Sequence, residues 1–496
     1  MKRGITSNSM KLKKLIKDFS SIQVKGLKDI EITGIGSDSK RIAPGNLFVA
    51  KRGIKHHGST FIPDAIASGA VAVLTDIFDP FLKDVVQLIH HDPREIEGAL
   101  ASRFYEDPSC QMLTIGLTGT NGKTTTSYLI KHILDQAKKE TGLIGTIEYI
   151  IGNTSYPPTH TTPDVTTNQK LLHEMVVKGC QCAVMEATSH ALDQRRVANI
   201  DFDIAVFTNL TSEHLDYHKT MENYCEAKSH LFTELKPSGL AVINADDPWH
   251  SRISAKCSAP VLTFGIDSEA DFAAKEVMLT PTGTAFTLVT KQGSYDCITP
   301  LVGRFNVYNT LAAIGALHQQ LPIKTILHSL KTFSAVPGRL QLVPNPLNYK
   351  IIVDFAHTDA ALENVLSCLS EFKKGKVITV FGCGGDRDRS KRPLMAKVAE
   401  KYSDAVIVTS DNPRSEDPLE ICKEVSTGFT KEQWIEVDRY QAIKKAVSMA
   451  TSEDLILIAG KGHEAEQIFA HTTKEFDDAK VAFDICQQQK ESLACV

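Results

Sequence analysis

The residues best suited to chemistry stand in one stretch, Leu113 to Thr126, which reads L-T-I-G-L-T-G-T-N-G-K-T-T-T. Lys123 and Thr124 follow two glycines, a pattern typical of a loop that wraps phosphate with backbone N–H groups. The lysine would face terminal phosphates, and the threonine hydroxyl would bind magnesium. A strict G-x-x-x-x-G-K-[ST] pattern is not met, because Leu117 occupies the first glycine position. The alternative interpretation is a glycine-rich turn before an ordinary helix.

The elements around this loop must hold it. The apolar run Met112 to Leu117 predicts a buried strand, and a helix should begin at Lys123 and end near Gln136, with its positive end toward phosphate. Other short apolar runs lead directly into polar residues. They are C-A-V-M before Glu186, I-A-V-F before Thr208-Asn209, and L-A-V-I before Asn244. In parallel sheets ligands bind beyond the carboxyl ends of the strands, so these polar residues should converge on the loop.

The last third of the chain repeats this pattern. Apolar runs at 378–381, 405–408 and 455–459 lead into G-C-G-G-D-R-D-R, T-S-D-N-P-R-S-E and G-K-G-H-E. The charged residues thus delivered to one sheet edge are Asp386, Arg387, Asp411, Arg414, His463 and Glu464. Paired opposite charges predict a pocket for a polar, zwitterionic small molecule. Charged loops that simply face water are the alternative.

Length and composition set the broad class. At about 150 residues per domain, 496 residues predict three α/β domains, which we place at 1–108, 109–336 and 337–496. The net charge of −4 argues against a nucleic-acid partner. No apolar run approaches the roughly 20 residues of a membrane span, and the polar start favours a cytoplasmic location without membrane insertion. Eleven scattered cysteines predict reduced thiols. A basic amphipathic helix is expected from Met10 to Ser21.

The motifs in combination closely resemble the Mur ligase family. They are G-L-T-G-T-N-G-K-T-T-T, T-N-L-T-S-E-H-L-D-Y-H (208–218), Y-C-E-A-K-S-H-L-F (224–232), G-R-F-N-V-Y-N (303–309), P-G-R-L (337–340), D-F-A-H-T (354–358) and C-G-G-D-R-D-R-S-K-R-P. The resemblance extends from Gly36 to about Asp478. It implies an ATP-dependent amide ligase of peptidoglycan synthesis, with an N-terminal UDP-substrate domain, a central P-loop ATP-binding domain with a parallel sheet, and a C-terminal Rossmann-like domain that binds an amino acid.

Within the family, D-N-P-R (411–414) and G-K-G-H-E resemble the members that add meso-diaminopimelate to UDP-N-acetylmuramoyl-L-alanyl-D-glutamate. The reaction so implied passes through an acyl phosphate and yields ADP and phosphate. The co-substrate is ATP, with two Mg²⁺ ions expected. The expected partners are these small molecules alone, and a monomer is expected.

The resemblance also implies roles for individual residues. Catalytic roles fall to Lys123, Lys228, His214 and His357, and the magnesium shell to Thr124, Glu186, His214 and Lys228. Lys228 would act as a CO₂-derived carbamate, whose formation needs a neutral amine; a surface lysine is the alternative. The implied ATP contacts are Thr118, Gly119, Thr120, Asn121, Gly122, Lys123, Thr124, Asn306, Arg339 and Asp354.

The two other substrates receive separate sets of residues. The implied contacts to the UDP-muramoyl dipeptide are Ser37, Ser39, Ile54, Lys55, His56, His160, Thr161, Thr162, Thr188, Gln194 and Arg196. The implied contacts to diaminopimelate are Arg387, Asp411, Asn412, Pro413, Arg414, Gly460 and Glu464. Two arginines suit the second carboxylate that distinguishes diaminopimelate from lysine.

Several positions depart from the family pattern. Glu213 replaces an aspartate, Phe355 replaces a tyrosine, Thr188 replaces a serine, and Asp359-Ala360 replace Pro-Asp. Two alternative functions stay open. One is a different ligase of the superfamily, such as folylpolyglutamate synthetase or another Mur step; the other is a phosphate-loop ATPase or switch protein that ligates nothing.

Overall fold

The computed structural model describes residues 9–26, 29–53, 56–280, 283–334 and 336–494. Three α/β units follow one another along this part of the chain, each built on its own sheet. The expected substrate contacts Ile54 and Lys55 lie outside the described residues.

The first unit is a five-stranded sheet in the order β2-β7-β6-β5-β4, in which β2 alone is antiparallel. Its apolar runs are buried because helices cover the sheet. Its elements are β1 (Met10–Lys11), α1 (Leu12–Leu15), β2 (Gln23–Lys25), β3 (Glu31–Ile32), β4 (Gly34–Gly36), β5 (Asn46–Val49), α2 (Ile62–Ala67), β6 (Ala72–Thr75), β7 (Val86–Ile89) and α3 (Pro93–Phe104). The helix expected from Met10 to Ser21 is therefore wrong in length: α1 has four residues, and Met10 pairs with Ile32 in a strand.

The central unit carries an eleven-stranded sheet. Its strands are β8 (Leu113–Thr118), β9 (Thr141–Ile144), β10 (Tyr149–Ile151), β11 (Thr154–Tyr156), β12 (Cys182–Glu186), β13 (Ile204–Phe207), β14 (Leu240–Asn244), β15 (Val261–Gly265), β16 (Phe272–Thr280), β17 (Gly283–Thr290) and β18 (Gly293–Thr299). Its helices are α4 (Lys123–Gln136), α5 (Val165–Lys178), α6 (Ser189–Asp193), α7 (Leu215–His218), α8 (Met221–Thr233), α9 (His250–Ser254), α10 (Arg304–Leu317) and α11 (Ile323–Leu330).

Strand order explains where the ligand site lies. The strand order across the sheet is β11-β10-β9-β12-β8-β13-β14-β15-β16-β17-β18. The seven central strands in this order, from β9 to β16, are parallel to one another. Antiparallel strands extend both edges, so the expected parallel sheet is the middle of a mixed one. The phosphate-loop strand β8 stands between β12 and β13. The polar ends of these three strands therefore meet at one edge.

The third unit is a six-stranded sheet in the order β19-β20-β24-β21-β22-β23, parallel except for β19. Its elements are β19 (Gln341–Leu342), β20 (Lys350–Asp354), α12 (Asp359–Ser370), β21 (Val377–Phe381), α13 (Lys391–Tyr402), β22 (Ala405–Val408), α14 (Pro418–Ser426), β23 (Trp434–Ile435), α15 (Arg439–Met449), β24 (Leu455–Ala459), β25 (Glu466–Ile468), β26 (Thr473–Glu475) and α16 (Asp478–Ala494). The three predicted charged loops follow β21, β22 and β24, which are neighbours.

The fold bears on two predictions made from composition, which concern membrane spans and cysteines. Of the helices in the described ranges, none is long and apolar enough to cross a membrane. The ten cysteines among the described residues are all free thiols, as expected.

Candidate active site

The phosphate loop between β8 and α4 requires its glycines. Gly119 and Gly122 have φ of +147° and +86°. A Cβ on Gly119 would lie 1.9 Å from Thr208 Oγ1, and one on Gly122 would lie 2.3 Å from Asn309 Oδ1. The Lys123 ammonium bends back over the loop and donates to the carbonyls of Gly119 and Thr120, at 2.8 Å each. Both glycines and the lysine thus have the arrangement that a phosphate-binding loop needs.

Glu186 ends β12 next to this loop and is fully buried. Its Oε2 accepts from the hydroxyls of Thr124 at 3.1 Å and Thr146 at 2.9 Å, and its Oε1 accepts from Thr146 N at 3.0 Å. A buried carboxylate beside the first hydroxyl of the loop helix is an oxygen donor set that Mg²⁺ prefers. Thr146 had no recognisable sequence signal, because it contributes only after β9 lies beside β12.

Lys228 is a buried residue of α8, with 1% of its surface exposed. Its Nζ donates to Gly119 O at 2.8 Å and lies 4.5 Å above the Tyr224 ring. Burial first, and then the charge of Lys123, lower the pKa of Lys228 well below its ordinary value. The alternative of a surface lysine is therefore wrong, and a neutral amine is favoured next to the phosphate loop.

Glu213, His214 and His357 form a contact between the central and third units. Glu213 lies 3.4 Å from His357 Nε2 and 3.9 Å from His214 Nε2. Burial raises the pKa of Glu213, but the hydrogen bond and charge of His357, together with His214 and Lys123, bring it well below its ordinary value. Burial lowers the pKa of His214 to about 4. The His214 imidazole is thus neutral near pH 7 and has a lone pair for a metal.

His357 contacts residues of both the third and the central unit. Its Nδ1 lies 2.9 Å from the carbonyl oxygen of Phe355, which can only accept. Its Nε2 faces the Glu213 carboxylate, which is also an acceptor when ionised. His357 therefore links the third unit to Glu213 of the central unit.

A cavity of about 640 Å³ opens between the phosphate loop and the third unit. The expected site residues that line it are Thr120, Asn121, Gly122, Lys123, Thr124, Thr161, Glu186, Thr188, His214, Asn306, Arg339, Asp354, His357 and Arg387. Thr118 and Lys228 lie buried behind this wall. A volume of this size is typical of a pocket for a small organic ligand.

The expected nucleotide contacts beyond the loop lie on both sides of this cavity. Asn306 Nδ2 donates to Val302 O at 2.8 Å. Arg339 stacks 4.7 Å from the Phe355 ring and donates to Thr124 Oγ1 at 3.4 Å. The Asp354 carboxylate accepts hydrogen bonds from Leu340 N at 2.7 Å and from Ala356 N at 2.8 Å. Arg339 therefore connects the third unit to the first residues of α4.

The expected contacts to the dipeptide end cluster behind Glu186. Thr162 Oγ1 donates to Glu186 O at 2.7 Å and accepts from Thr188 N at 3.1 Å. Arg196 donates to Thr162 O at 3.2 Å and to Gln194 Oε1 at 2.6 Å. His160 contributes its carbonyl, which accepts from a tyrosine hydroxyl at 2.6 Å. Thr162, Thr188, Gln194 and Arg196 therefore lie together beside Glu186.

The expected contacts in the first unit lie apart from this cavity. Ser37, Ser39 and His56 are absent from its lining. Lys51 and Glu97, which sequence reasoning missed, form a half-buried ion pair with Nζ–Oε distances of 2.5 and 2.8 Å. Burial raises the pKa of Glu97. The charge and hydrogen bond of Lys51 and a hydrogen bond from Ser37 act in the opposite direction and lower it.

The charged loops of the third unit converge as expected. A Cβ on Gly384 would lie 2.9 Å from Arg414 Nη1 and 3.8 Å from Arg387 Cγ, so both arginine side chains pass close to Gly384. Asn412 Nδ2 donates to Glu464 Oε2 at 2.8 Å. A Cβ on Gly460 would lie 2.6 Å from Asp411 Oδ2, and a Cβ on Gly385 would lie 1.9 Å from the Pro413 carbonyl oxygen. Of these residues Arg387 alone lines the 640 Å³ cavity.

Two lysines of the third unit were missed by sequence reasoning. Lys391 begins α13 and donates to His357 O at 2.8 Å. Lys461 is fully buried and donates to Asn412 Oδ1 at 3.1 Å. Lys461 stands inside the quoted G-K-G-H-E motif, but a lysine in a loop carries no sequence signal of burial.

A phosphate loop, a buried acidic partner and a neutral histidine, all facing a separate α/β unit rich in paired charges, define the class of P-loop enzymes that bring a nucleotide to a second substrate.

Comparison with known proteins gives the family. Three family descriptions match the chain: "Mur ligase family, catalytic domain" over residues 31–113, "Mur ligase middle domain" over 117–317 and "Mur ligase, glutamate ligase domain" over 338–462. The chain belongs to the Mur ligase family. The resemblance inferred from the motifs is thereby confirmed.

Named relatives are similar over almost the full chain. The UDP-N-acetylmuramoyl-L-alanyl-D-glutamate–2,6-diaminopimelate ligase of Chlamydia pneumoniae is 44% identical over 484 residues, which cover 96% of this chain and 99% of that protein. The ligase of the same name from Bacillus cereus is 44% identical over 482 residues, covering 95% and 98%. A solved structure of a ligase with this name is 32% identical, with a TM-score of 0.70 and coverage of 97% and 99%.

Proposed function

We propose that this protein is an ATP-dependent, ADP-forming ligase that adds meso-2,6-diaminopimelate to UDP-N-acetylmuramoyl-L-alanyl-D-glutamate. The observation that carries the proposal is the cavity between the phosphate loop and the third unit, which Lys123, Glu186 and Arg387 all line. The named relatives at 44% identity support the same reaction.

The reaction proceeds in two steps. The γ-carboxylate of the D-glutamate attacks the γ-phosphorus of ATP, and ADP leaves as the acyl phosphate forms. The amine of diaminopimelate then attacks the acyl carbon, loses a proton, and displaces inorganic phosphate. Two anions must meet in the first step, so positive charge over the phosphates is required. Lys123 supplies one such charge from the loop.

The donor set beside the loop fits Mg²⁺. Thr124 and Glu186 offer oxygen atoms within 3.1 Å of each other, and His214 offers a neutral nitrogen. When bound, Mg²⁺ would offset the charge of the phosphate oxygens. As a carbamate, Lys228 would add a further anionic oxygen donor beside the phosphate loop, since its buried amine is biased toward the neutral form that reacts with CO₂. Its Nζ points at Gly119 O, on the rim of the phosphate loop.

Each of the remaining binding roles is assigned to residues of particular units. Asn306, Arg339 and Asp354 hold the base and ribose of ATP between the central and third units. Ser37, Ser39 and the loop at His56 hold the UDP-sugar, and Thr161, Thr162, Thr188, Gln194 and Arg196 meet its peptide. The division at residues 108 and 336 separates these tasks. A monomer in the cytoplasm is the proposed working form.

Selection of the amino acid is assigned to the third unit. The side chains of Arg387 and Arg414 both pass close to Gly384, and their guanidinium groups can pair with the second carboxylate of diaminopimelate. Asp411, Asn412 and Glu464 receive the distal ammonium. L-Lysine would leave the guanidinium groups without a partner, which can reduce kcat/KM by orders of magnitude.

Phosphate release tests the proposal. The purified protein is mixed with ATP and Mg²⁺, and then with the UDP-dipeptide, meso-diaminopimelate or L-lysine, singly and together. We expect sustained release only when the UDP-dipeptide and diaminopimelate are both present. Release from ATP alone would favour a phosphate-loop ATPase, and equal use of L-lysine would contradict the assigned specificity.

A further inference from the structure

Lys461 holds two of the residues assigned to the amino acid. It follows Gly460 at the end of β24, and none of its side chain is exposed. Its Nζ donates to Asn412 Oδ1 at 3.1 Å and to Glu464 Oε2 at 3.3 Å, and also to the Glu466 carbonyl. A buried ammonium is costly unless it is fully hydrogen-bonded, and these three acceptors use all three of its protons.

These bonds determine how the Asn412 side chain points. Its Oδ1 accepts from Lys461 Nζ and from Ile468 N, the latter at 3.0 Å. Both partners can only donate, so the amide cannot exchange its oxygen and nitrogen. The Nδ2 group is therefore directed at Glu464 Oε2, 2.8 Å away. Lys461 and Asn412 together hold one oxygen of Glu464 and leave Oε1 free for another donor.

Lys461 also sets the charge of this part of the site. Its ammonium offsets the Glu464 carboxylate, with which it forms an ion pair. The distal end of meso-diaminopimelate carries one ammonium and one carboxylate and has no net charge. The distal end of L-lysine carries an ammonium alone. The fixed ammonium of Lys461 therefore disfavours binding of L-lysine more than binding of meso-diaminopimelate. This repulsion contributes to specificity.

We propose that Lys461 is a positioning residue that orients Asn412 and Glu464 toward the distal end of the amino acid and selects a zwitterionic end over a purely cationic one. This rests on the proposed function. Lys461 itself does not touch the reacting atoms; it acts through its two neighbours.

Three variants test this role: Lys461→Met, Lys461→Gln and, as a matched control, Lys474→Met. Lys474 is an exposed lysine of β26, so its replacement removes the same charge from the same unit without touching Asn412. KM and kcat are measured for diaminopimelate and for L-lysine, and KM for ATP is measured alongside. The wild-type protein tests the proposed function itself. If it does not turn over diaminopimelate, the proposed function is refuted, whereas the role of Lys461 is tested only by comparing the variants with an active wild type.

For Lys461→Met we expect KM for diaminopimelate to rise at least tenfold and the preference over L-lysine to fall at least tenfold, with KM for ATP unchanged within twofold. Lys461→Gln can still donate to Asn412, so KM for diaminopimelate should return to within about threefold of the wild type while the preference stays relaxed. Lys474→Met should behave as the wild type.

The inference is overturned if Lys461→Gln keeps the wild-type preference for diaminopimelate, or if KM for ATP rises together with KM for diaminopimelate. The first result would mean that the charge selects nothing, and the second that Lys461 only maintains the fold. Lys461→Gln decides the question even where Lys461→Met does not fold.

Discussion

Asp478 and Arg439 form a fully buried ion pair beneath the charged loops of the third unit. Arg439 Nε and Nη2 donate to the two carboxylate oxygens of Asp478 at 2.7 Å each, and neither side chain is exposed. The same guanidinium donates to Ser410 O at 3.2 Å and Ala459 O at 3.0 Å. It thereby ties together the strand ends from which Asp411 and Gly460 continue.

Asp478→Ala should destabilise this unit strongly. The substitution leaves a buried guanidinium without its counter-charge, and removing one partner of a buried pair costs about 3–5 kcal/mol. With a urea dependence of about 2 kcal/mol/M, the unfolding midpoint of the third unit should fall by roughly 1.5–2.5 M. KM for diaminopimelate should rise as well, because the loops carrying its proposed contacts begin at the tied carbonyls.

Tryptophan fluorescence can follow the third unit separately. The chain has two tryptophans, Trp249 in the central unit and Trp434 in β23. Urea unfolding is therefore recorded in a Trp249→Phe background, where Trp434 alone reports. The control is Glu363→Ala, which breaks a 2.9 Å pair with Lys401 that is exposed to water on both sides. That loss should cost only about 0–1 kcal/mol. A shift for Asp478→Ala no larger than the control would refute the reasoning, since it would mean that the guanidinium reaches water.

Three further predictions concern the site and its surroundings. Lys228→Ala should reduce phosphate release in the complete mixture by at least about 100-fold, as expected for a group that stabilises transition-state charge; near wild-type turnover would exclude the carbamate role. Burial lowers the pKa of His218 to about 4, so the unfolded chain takes up the proton first and the free energy of unfolding should fall as pH falls from about 6.5 to about 4. Urea titrations at several pH values should show a smaller slope in His218→Asn, and an unchanged slope would contradict the assignment. Arg414→Lys keeps the charge but loses the planar fork, so KM for diaminopimelate should rise at least about tenfold in steady-state assays, whereas KM for ATP should not change.

The sequence by itself determined the three-unit α/β plan and the location of the site along the chain. Apolar runs that end in polar residues mark strands whose carboxyl ends meet, and this signal is local. The helix from Lys123 to Gln136 and the strand Leu455–Ala459 have the predicted limits. The phosphate loop could also be recognised despite Leu117, because Gly119, Gly122 and Lys123 supply the geometry that phosphate needs.

Only the tertiary structure decided which polar residues are buried and which partners they have. Lys228 reads as a surface lysine until α8 packs against a loop 109 positions earlier in the chain. Thr146 and Arg339 reach Glu186 and Thr124 from distant segments, and Lys461 finds Asn412 only when β22 and β24 lie on either side of β21. Such contacts depend on long-range packing, which no window of sequence contains. The burial that results is also what lowers the pKa of Lys228, and on that shift the proposed carbamate depends.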